Sequence, residues 1–218
     1  MSDERTIAVY DRMSDEYRAM TAADRPGRLL QDFLAQLPHG AAGAMVMDLG
    51  CGPGQDAAWM AAAGARVEAL DASAAMVAMV RGRNGIEARQ ATFADVAGEA
   101  AARRGTFDGI WASFSLLHAP RGDLPGLLRA FHTLLKPGGL LHVAVKTGEG
   151  ESRDGLGRLY TYCTVDELVD ALSQARFSAI DHTIGRDAKG LSGDVSDWVA
   201  ILARRDAPKS DVEDRIGG

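Results

Sequence analysis

The stretch VMDLGCGPGQDA, residues 46–57, decides the fold of this chain. Its apolar start predicts a buried strand that ends at Asp48, and its Ala-rich end opens a helical pattern. Between them lie Gly50, Gly52 and Gly54. Glycines let a backbone approach a ligand closely, and open parallel sheets bind ligands beyond the carboxyl ends of their strands. This glycine loop is therefore a candidate ligand site.

The spacing of the glycines argues against a nicotinamide dinucleotide as the ligand. The usual fingerprint, GxGxxG, would need a glycine at position 55, where the chain has Gln55. The loop instead has the pattern GxGxG, and Asp48 stands two residues before the first glycine. A dehydrogenase is disfavoured for this reason.

The rest of the chain predicts βα units around a parallel sheet. Short apolar runs alternate with helical patterns from residue 44 to residue 145. Two late apolar runs have no helical pattern between them, so we expect them to pair antiparallel. The predicted strands are residues 44–49, 66–70, 86–92, 107–113, 140–146, 177–184 and 197–204. The predicted fold class is α/β, with helices on both faces of the sheet.

The same patterns predict how the domain is organised. Helices predicted at residues 4–20 and 26–37 form an N-terminal helical cap, residues 1–40, that is part of the same domain as residues 41–205. The tail, residues 206–218, is polar and has no periodicity, so we expect it to be flexible.

Two later helices have marked starts. Asp123 precedes a helix whose apolar stripe ends at the LKPGG segment. Thr164 and Glu167 have the spacing of a capping box, in which each side chain accepts a hydrogen bond from an amide of the first turn. These signals predict helices after the fourth and fifth strands.

Composition limits the function further. The chain has 218 residues, of which 46% are hydrophobic, enough for one buried core. It has 24 Lys and Arg against 30 Asp and Glu, whereas proteins that bind nucleic acids usually carry a basic excess. No apolar run approaches the roughly 18 residues that cross a bilayer, and the two cysteines form no metal-ligand pattern. We expect a cytoplasmic protein without nucleic-acid, membrane or metal partners.

Two further acids follow neighbouring predicted strands. Asp71 ends the second strand, where a carboxylate can accept hydrogen bonds from both hydroxyls of a ribose. Asp95 follows the third strand, in the segment TFADV. Together with Asp48, these acids suit a ligand that carries a ribose and a cationic group better than one that carries a pyrophosphate.

At this point the sequence resembles the class I S-adenosylmethionine-dependent methyltransferases. The resemblance covers residues 7–204 and is carried by VMDLGCGPG, VEALDASAAMV, ATFADV, FDGIWASFSLLH and LLKPGGLLHVAV. It implies a Rossmann-like sheet of seven strands with the last strand antiparallel, and S-adenosylmethionine as cofactor. It also implies methyl transfer as the activity.

The resemblance assigns cofactor roles residue by residue. It implies Asp48, Gly50, Cys51, Gly52 and Gly54 for the methionine end, Asp71 for the ribose, Ala72, Met76, Asp95 and Val96 for the adenine, and Ser113 for the methionine amino group. Met76 has the alternative of an ordinary core residue. Arg28 is a candidate partner of the cofactor carboxylate, with a surface arginine as the alternative.

Candidates for the acceptor side lie in three places. His118 follows the fourth strand and is a candidate general base or positioning group, although a histidine there can simply bond the backbone. Tyr10 and Tyr17 lie seven residues apart on one predicted helical face; they either line the acceptor pocket or anchor the helix to the sheet. Arg153 and Arg158 belong to the Gly-rich charged loop 147–160, predicted to be a mobile lid or else a solvated connection.

The predicted function is methyl transfer from S-adenosylmethionine to an O, N or S atom of a small molecule by in-line displacement. The alternative is a non-catalytic subunit that binds S-adenosylmethionine and supports a partner enzyme. Aminopropyl transfer shares the fold but normally needs more acids around the amine than this chain shows. We expect a monomer or a homodimer.

Overall fold

The computed structural model describes residues 3–206. Its α-helices are α1 (Glu4–Arg12), α2 (Ser14–Thr21), α3 (Arg28–Gln36), α4 (Gln55–Ala62), α5 (Ala74–Val80), α6 (Phe93–Glu99), α7 (Leu124–Leu134) and α8 (Val165–Gln174). Its strands are β1 (Met45–Leu49), β2 (Arg66–Asp71), β3 (Ile86–Gln90), β4 (Phe107–Ser113), β5 (Leu135–Lys146), β6 (Glu151–Arg153), β7 (Leu159–Thr161), β8 (Phe177–Lys189) and β9 (Val195–Arg205). Short 3₁₀ turns cover Leu116–His118 and Arg121–Asp123.

The main sheet has seven strands in the order β3-β2-β1-β4-β5-β9-β8. The pairs among β1 to β5 are parallel, and β9 runs antiparallel to both of its neighbours. This topology confirms the predicted fold class, including the antiparallel last strand. Because β1 lies in the middle, the glycine loop that follows it opens at the edge where the carboxyl ends of β2 and β4 also lie.

Apolar side chains cover both faces of the sheet. Met47 and Leu49 of β1 belong to one buried cluster with α7 and α8, whereas Val46 belongs to a second cluster with α3 and α4. Successive residues of a strand point to opposite faces, so one strand supplies both clusters. The helices therefore pack on the two sides of a single sheet.

Some predicted bounds differ from the structure. The helix predicted over residues 4–20 is two helices, because the backbone leaves helical geometry at Met13 and a new helix begins at Ser14 with acids in its first turn. The charged loop 147–160 contains a hairpin, β6–β7, that the sequence analysis does not predict. The capping box of Thr164 and Glu167 is confirmed. Residues 207–218, nearly all of the predicted tail, lie outside the described residues.

Close packing of α3 on the sheet holds one part of the cap. Phe33 of α3 is fully buried and lies over Gly109 of β4, with its Cζ 2.5 Å from where a Cβ at Gly109 would stand. Leu37 lies 2.9 Å from the same point. The absence of a side chain at this position therefore sets how closely α3 approaches β4.

We predict opposite stability changes for two Gly→Ala substitutions. Gly109→Ala overpacks the contact with Phe33 and should lower the free energy of unfolding by about 1–3 kcal/mol. Gly126→Ala, on the exposed face of α7 with no atom within 4 Å of the new Cβ, should raise it by about 0.5–1 kcal/mol. Chemical denaturation of both variants measures the difference. Equal effects would mean that α3 does not approach β4 as described.

Candidate active site

The glycine loop turns sharply at the carboxyl end of β1. Gly50, Gly52 and Gly54 all have positive φ, at 79°, 51° and 77°. A Cβ at Gly50 would lie 2.3 Å from the Cβ of Ser115, and one at Gly54 would lie 2.5 Å from Val80. The loop therefore needs glycine both for its backbone conformation and for its contacts.

Asp71, at the end of β2, binds the glycine loop directly. Its Oδ2 accepts a hydrogen bond from the Gly52 amide at 2.9 Å, and its Oδ1 accepts one from the Ser73 amide at 2.8 Å. Burial raises the pKa of Asp71, while these amide bonds lower it. A carboxylate offers about four acceptor positions, so Asp71 can still accept bonds from a ligand's hydroxyls.

Two cavities adjoin at the glycine loop. The first has a volume of about 90 Å³ and lies between α1 and the ends of β2 and β4; its lining includes Tyr10, Asp71, Ala72, Met76, Phe93 and His118. The second has a volume of about 320 Å³, and its lining includes Arg25, Asp48, Cys51, Asp56 and Trp111. Both are lined by Tyr17, Gly50, Gly52, Ser113 and Phe114. The two cavities are therefore neighbouring parts of one region.

Two acids give the second cavity its electrostatic character. Asp48 is 3% exposed, and its Oδ2 has no hydrogen-bond partner among the described residues. Burial raises the pKa of Asp48 well above its ordinary value, and the nearby Asp56 and Asp71 raise it further. Asp56 accepts a bond from the Trp111 indole N–H at 2.8 Å, and burial raises its pKa too. An unpartnered buried carboxyl beside other acids fits a cationic ligand group.

The structure brings most of the predicted site residues together. Those that line one or both cavities are Tyr10, Tyr17, Asp48, Gly50, Cys51, Gly52, Asp71, Ala72, Met76, Ser113 and His118. Gly54, the last glycine of the loop, lines neither cavity and packs against Val80 of α5. Burial raises the pKa of the Cys51 thiol, which argues against its use as a nucleophile.

Other predicted cofactor residues lie outside the cavity linings. Asp95 is exposed, and its carboxylate accepts bonds from the amide and the hydroxyl of Thr92, which makes it part of the capping box of α6. Val96 is buried in the core cluster of α6 and α7. Arg28 lines neither of these two cavities but a third one, which shares Asp56, Trp111 and Ser113 with the second; its side chain is 91% exposed and pairs with Asp32.

Several lining residues are absent from the sequence prediction. Phe93 lies within the ATFADV motif, two residues before Asp95, so the motif itself marks its position. Phe114 follows β4 with a φ of 54°, a left-handed conformation that no sequence pattern announces. Arg25 and Asp56 also line the second cavity. Asp56 lies within the quoted stretch 46–57, directly after the glycines, whereas no motif separates Arg25 from a surface charge.

The acceptor-side candidates form a hydrogen-bonded chain. His118 lies 2.8 Å from the Tyr10 hydroxyl through its Nε2 and 2.6 Å from the Leu159 carbonyl through its Nδ1. Arg158 donates to the same Tyr10 hydroxyl at 2.8 Å and pairs with Asp154 at 2.6 Å. Burial lowers the pKa of His118 to about 4, so the imidazole is neutral at pH 7.

Helix α1 is held to the β6–β7 hairpin beside this chain. Arg153 donates to both carboxylate oxygens of Asp3, at 3.0 and 2.6 Å, and the Leu159 amide donates to the Thr6 hydroxyl at 2.8 Å. At the other end of α1, Asp11 accepts a bond from the Ser73 hydroxyl at 2.6 Å. Arg153 therefore anchors the helix and does not line the first cavity.

Residues 3–206 contain neither a membrane-spanning helix nor a metal-binding cluster. No helix in this part of the chain is both long and apolar enough to cross a membrane. Nor do three or more His, Cys, Asp or Glu side chains converge there in a way that could hold a metal ion.

Comparison with known proteins agrees with the fold. A family model described as a methyltransferase domain matches residues 46–139. A ubiquinone biosynthesis O-methyltransferase of Xanthomonas oryzae pv. oryzae is 37% identical over 109 residues, which are 47% of this chain and 43% of that protein. The methyltransferase GfsG of Streptomyces halstedii is 35% identical over 176 residues, 78% of this chain and 62% of that protein.

Among solved structures, the 1,6-didemethyltoxoflavin-N1-methyltransferase of Burkholderia thailandensis has a TM-score of 0.70 at 22% identity. The match covers 93% of this chain and 88% of that one. The chain spans only about half the length of the Xanthomonas relatives that it matches. Residues 46–139 thus match a methyltransferase domain, and the motif set, the sheet order and these similarities are those of the class I S-adenosylmethionine-dependent methyltransferase superfamily.

Proposed function

We propose that the protein binds S-adenosylmethionine and transfers its methyl group to an O, N or S atom of a small molecule. One observation carries the proposal: acids at the ends of β1 and β2 flank a glycine loop and line two adjoining cavities. The unpartnered Oδ2 of Asp48 lies in the part that would receive a cationic methionine end. Asp71 lies in the part that would receive a ribose.

The chain's own residues account for cofactor binding. The free acceptor positions of Asp71 suit the ribose hydroxyls, and the apolar side chains of Met76 and Phe93 suit the adenine ring. The predicted bond from Asp95 to the adenine amino group would require its carboxylate to leave the capping box with Thr92. When bound, S-adenosylmethionine supplies an electrophilic methyl group on its sulfonium.

The enclosure of the first cavity supports transfer as well as binding. Helix α1 lies over the sheet edge and brings Tyr10 next to His118. Holding an acceptor in line with the sulfonium provides much of the rate acceleration in such a displacement. His118 and Tyr10 place a proton-accepting network at the same cavity, which an acceptor with an acidic proton would use.

The activities of the relatives support a small-molecule acceptor. One is an O-methyltransferase of ubiquinone biosynthesis, and another is an N1-methyltransferase crystallised with 1,6-didemethyltoxoflavin and S-adenosylhomocysteine. The net charge of −6 disfavours nucleic acid as the acceptor. We include in the proposal a cytoplasmic location and a monomer or homodimer as the working form.

Two measurements test the proposal together. Titration calorimetry should show binding of S-adenosylhomocysteine in preference to NAD, and equal or tighter binding of NAD would contradict the assignment. Radiolabelled S-adenosylmethionine, incubated with the protein and catechol or a small aromatic amine, should yield labelled methyl product without a second protein. Cofactor binding without turnover by the protein alone would favour the non-catalytic supporting subunit.

We predict that Asp71→Asn weakens the binding of S-adenosylhomocysteine at least about tenfold. The substitution keeps the side-chain shape but removes the charge, and a hydrogen bond to a charged group contributes roughly 1.5–3 kcal/mol. Asp170→Asn, an exposed position on α8, is the matched control and should leave the affinity unchanged. Calorimetry measures both, and an intact variant with wild-type affinity would remove Asp71 from the ribose site.

Two arginines of the cap should differ in their effect on cofactor binding. Both side chains are exposed, but Arg25 lines the second cavity, whereas Arg28 lines the neighbouring third cavity and is paired with Asp32. Arg25→Gln should weaken the binding of S-adenosylhomocysteine by about fivefold to tenfold, as expected for one charge-assisted contact with a carboxylate in a partly exposed site. Arg28→Gln should leave it unchanged. A larger loss of affinity in Arg28→Gln than in Arg25→Gln would support Arg28 as the partner of the cofactor carboxylate, as the sequence predicts.

A further inference from the structure

The chain of hydrogen bonds behind the first cavity has only one possible direction. A guanidinium donates and never accepts, so the Tyr10 oxygen must accept from Arg158. A carbonyl accepts and never donates, so His118 must carry its proton on Nδ1, facing Leu159. The remaining bond, at 2.8 Å, therefore runs from the Tyr10 hydroxyl to the lone pair of His118 Nε2.

This direction changes which group meets the acceptor. His118 Nε2 already accepts a hydrogen bond from the Tyr10 hydroxyl, so its lone pair is not free for a substrate. The Tyr10 oxygen keeps one further acceptor position, because its other lone pair is engaged by Arg158. Tyr10 and His118 both line the first cavity. The Tyr10 hydroxyl lies between His118 and the Arg158 guanidinium, and it bonds to both.

We propose that Tyr10 is the catalytic residue that takes the acceptor's proton and passes its own proton to His118, with Arg158 as the positioning residue that orients the hydroxyl. This inference rests on the proposed function, since it names the acceptor class of the same site. The acceptor is a small molecule whose nucleophilic atom still carries a proton when it binds: a hydroxyl, an N–H amine or a thiol. A carboxylate, which has no such proton, does not use the relay.

The step balances in protons and electrons. A lone pair on the acceptor atom forms the new bond to the methyl carbon, while the carbon–sulfur bond breaks and its electron pair stays on sulfur, turning the sulfonium into a thioether. The acceptor proton moves to the Tyr10 oxygen, and the Tyr10 proton moves to His118 Nε2. The imidazolium that results donates from Nδ1 to the Leu159 carbonyl. Because burial lowers the pKa of His118 to about 4, this imidazolium is short-lived and returns one proton to solvent after product release.

The surroundings of Arg158 explain how it can hold the hydroxyl. The side chain is 1% exposed, its Nε and one terminal nitrogen donate to Asp154 at 2.9 and 2.6 Å, and its other terminal nitrogen donates to Tyr10. Its Cζ lies 5.2 Å from the ring centroids of both Tyr10 and Tyr160. With both ends of the guanidinium engaged, the N–H that faces Tyr10 has one direction.

Histidine tautomers give a test that needs no acceptor. The ¹⁵N imidazole spectrum of the full chain at pH 7 should show His118 as the neutral Nδ1–H tautomer, with an Nε2 resonance shifted by a hydrogen bond; His118→Gln assigns the signal. In Tyr10→Phe the tautomer should stay and the Nε2 resonance should move to the value of an unbonded nitrogen. An Nε2–H tautomer in the wild-type protein, or an unmoved resonance in Tyr10→Phe, would overturn the relay.

Kinetics test the proton transfer itself. With S-adenosylmethionine and whichever acceptor of a set is methylated fastest (catechol, an aromatic amine, a thiophenol or benzoate), Tyr10→Phe and His118→Gln should each lower kcat by about 10², the usual range for a general base. The double variant should lose no more than the worse single variant, because the two residues act as one unit. Affinity for S-adenosylhomocysteine should stay within about twofold of the wild-type value.

Matched variants separate positioning from folding. Arg158→Lys keeps a charge beside Asp154 but cannot engage both partners, so kcat should fall while KM and cofactor affinity change little. Tyr162→Phe removes a hydroxyl whose only described contact is Ser152, outside both cavities, and should keep wild-type kcat. Thermal melts check that each variant folds.

The outcomes distinguish the two proposals. The relay is wrong if benzoate is the preferred acceptor. It is also wrong if Tyr10→Phe keeps more than about half of the wild-type kcat, because loss of a general base should lower kcat by about 10² or more. In both cases methyl transfer itself stands. If the wild-type protein methylates none of the acceptors, the proposed function fails and the relay with it.

Discussion

The site depends on the hydrogen bonds that tie the glycine loop to the end of β2. Three successive amides of the loop bond to two successive residues of the strand: Gly50 and Cys51 donate to the Leu70 carbonyl at 2.7 and 2.9 Å, and Gly52 donates to Asp71. The backbone can form this turn because Gly50 and Gly52 have positive φ. The ends of two parallel strands are thereby locked into a single binding edge.

Helix α1 completes that edge by joining its two halves. One end of the helix bonds to the hairpin through Asp3 and Thr6, while the other bonds to the start of α5 through Asp11. Tyr10 lies between these anchors, and its hydroxyl meets His118. Because the same helix covers the cavity and carries the hydroxyl, a movement of α1 away from the sheet edge would also separate Tyr10 from His118. Entry of ligands and assembly of the network are therefore coupled in this architecture.

Sequence patterns were sufficient for the sheet but not for every part of the site. The strand periodicity and the GxGxG loop predict the strands of the parallel sheet and the place of Asp71 at the end of the second strand, because both depend on local spacing. The role of Arg158 could not be predicted, since a Gly-rich charged loop usually lies in solvent and nothing local shows that its turn folds inward. For Asp95 the sequence allows two roles. Its spacing from the strand fits a ligand contact as well as it fits the capping box that the structure shows.

Stability alone does not explain why the turn between β6 and β7 buries the ion pair of Asp154 and Arg158. Moving a guanidinium and a carboxylate out of water costs several kcal/mol per ion, and well-packed apolar residues of similar volume often give an equal or more stable fold. Asp154 and Arg158 are almost fully buried, and the free arm of the guanidinium points at one hydroxyl beside the cavity. A hydrophobic pair could pack the hairpin but could not orient a hydroxyl, because orientation needs a donor in a fixed direction. The free energy that burial costs is thus offset by a functional gain, because the ion pair orients the Tyr10 hydroxyl. The charged turn between β6 and β7 is therefore part of the proposed active site.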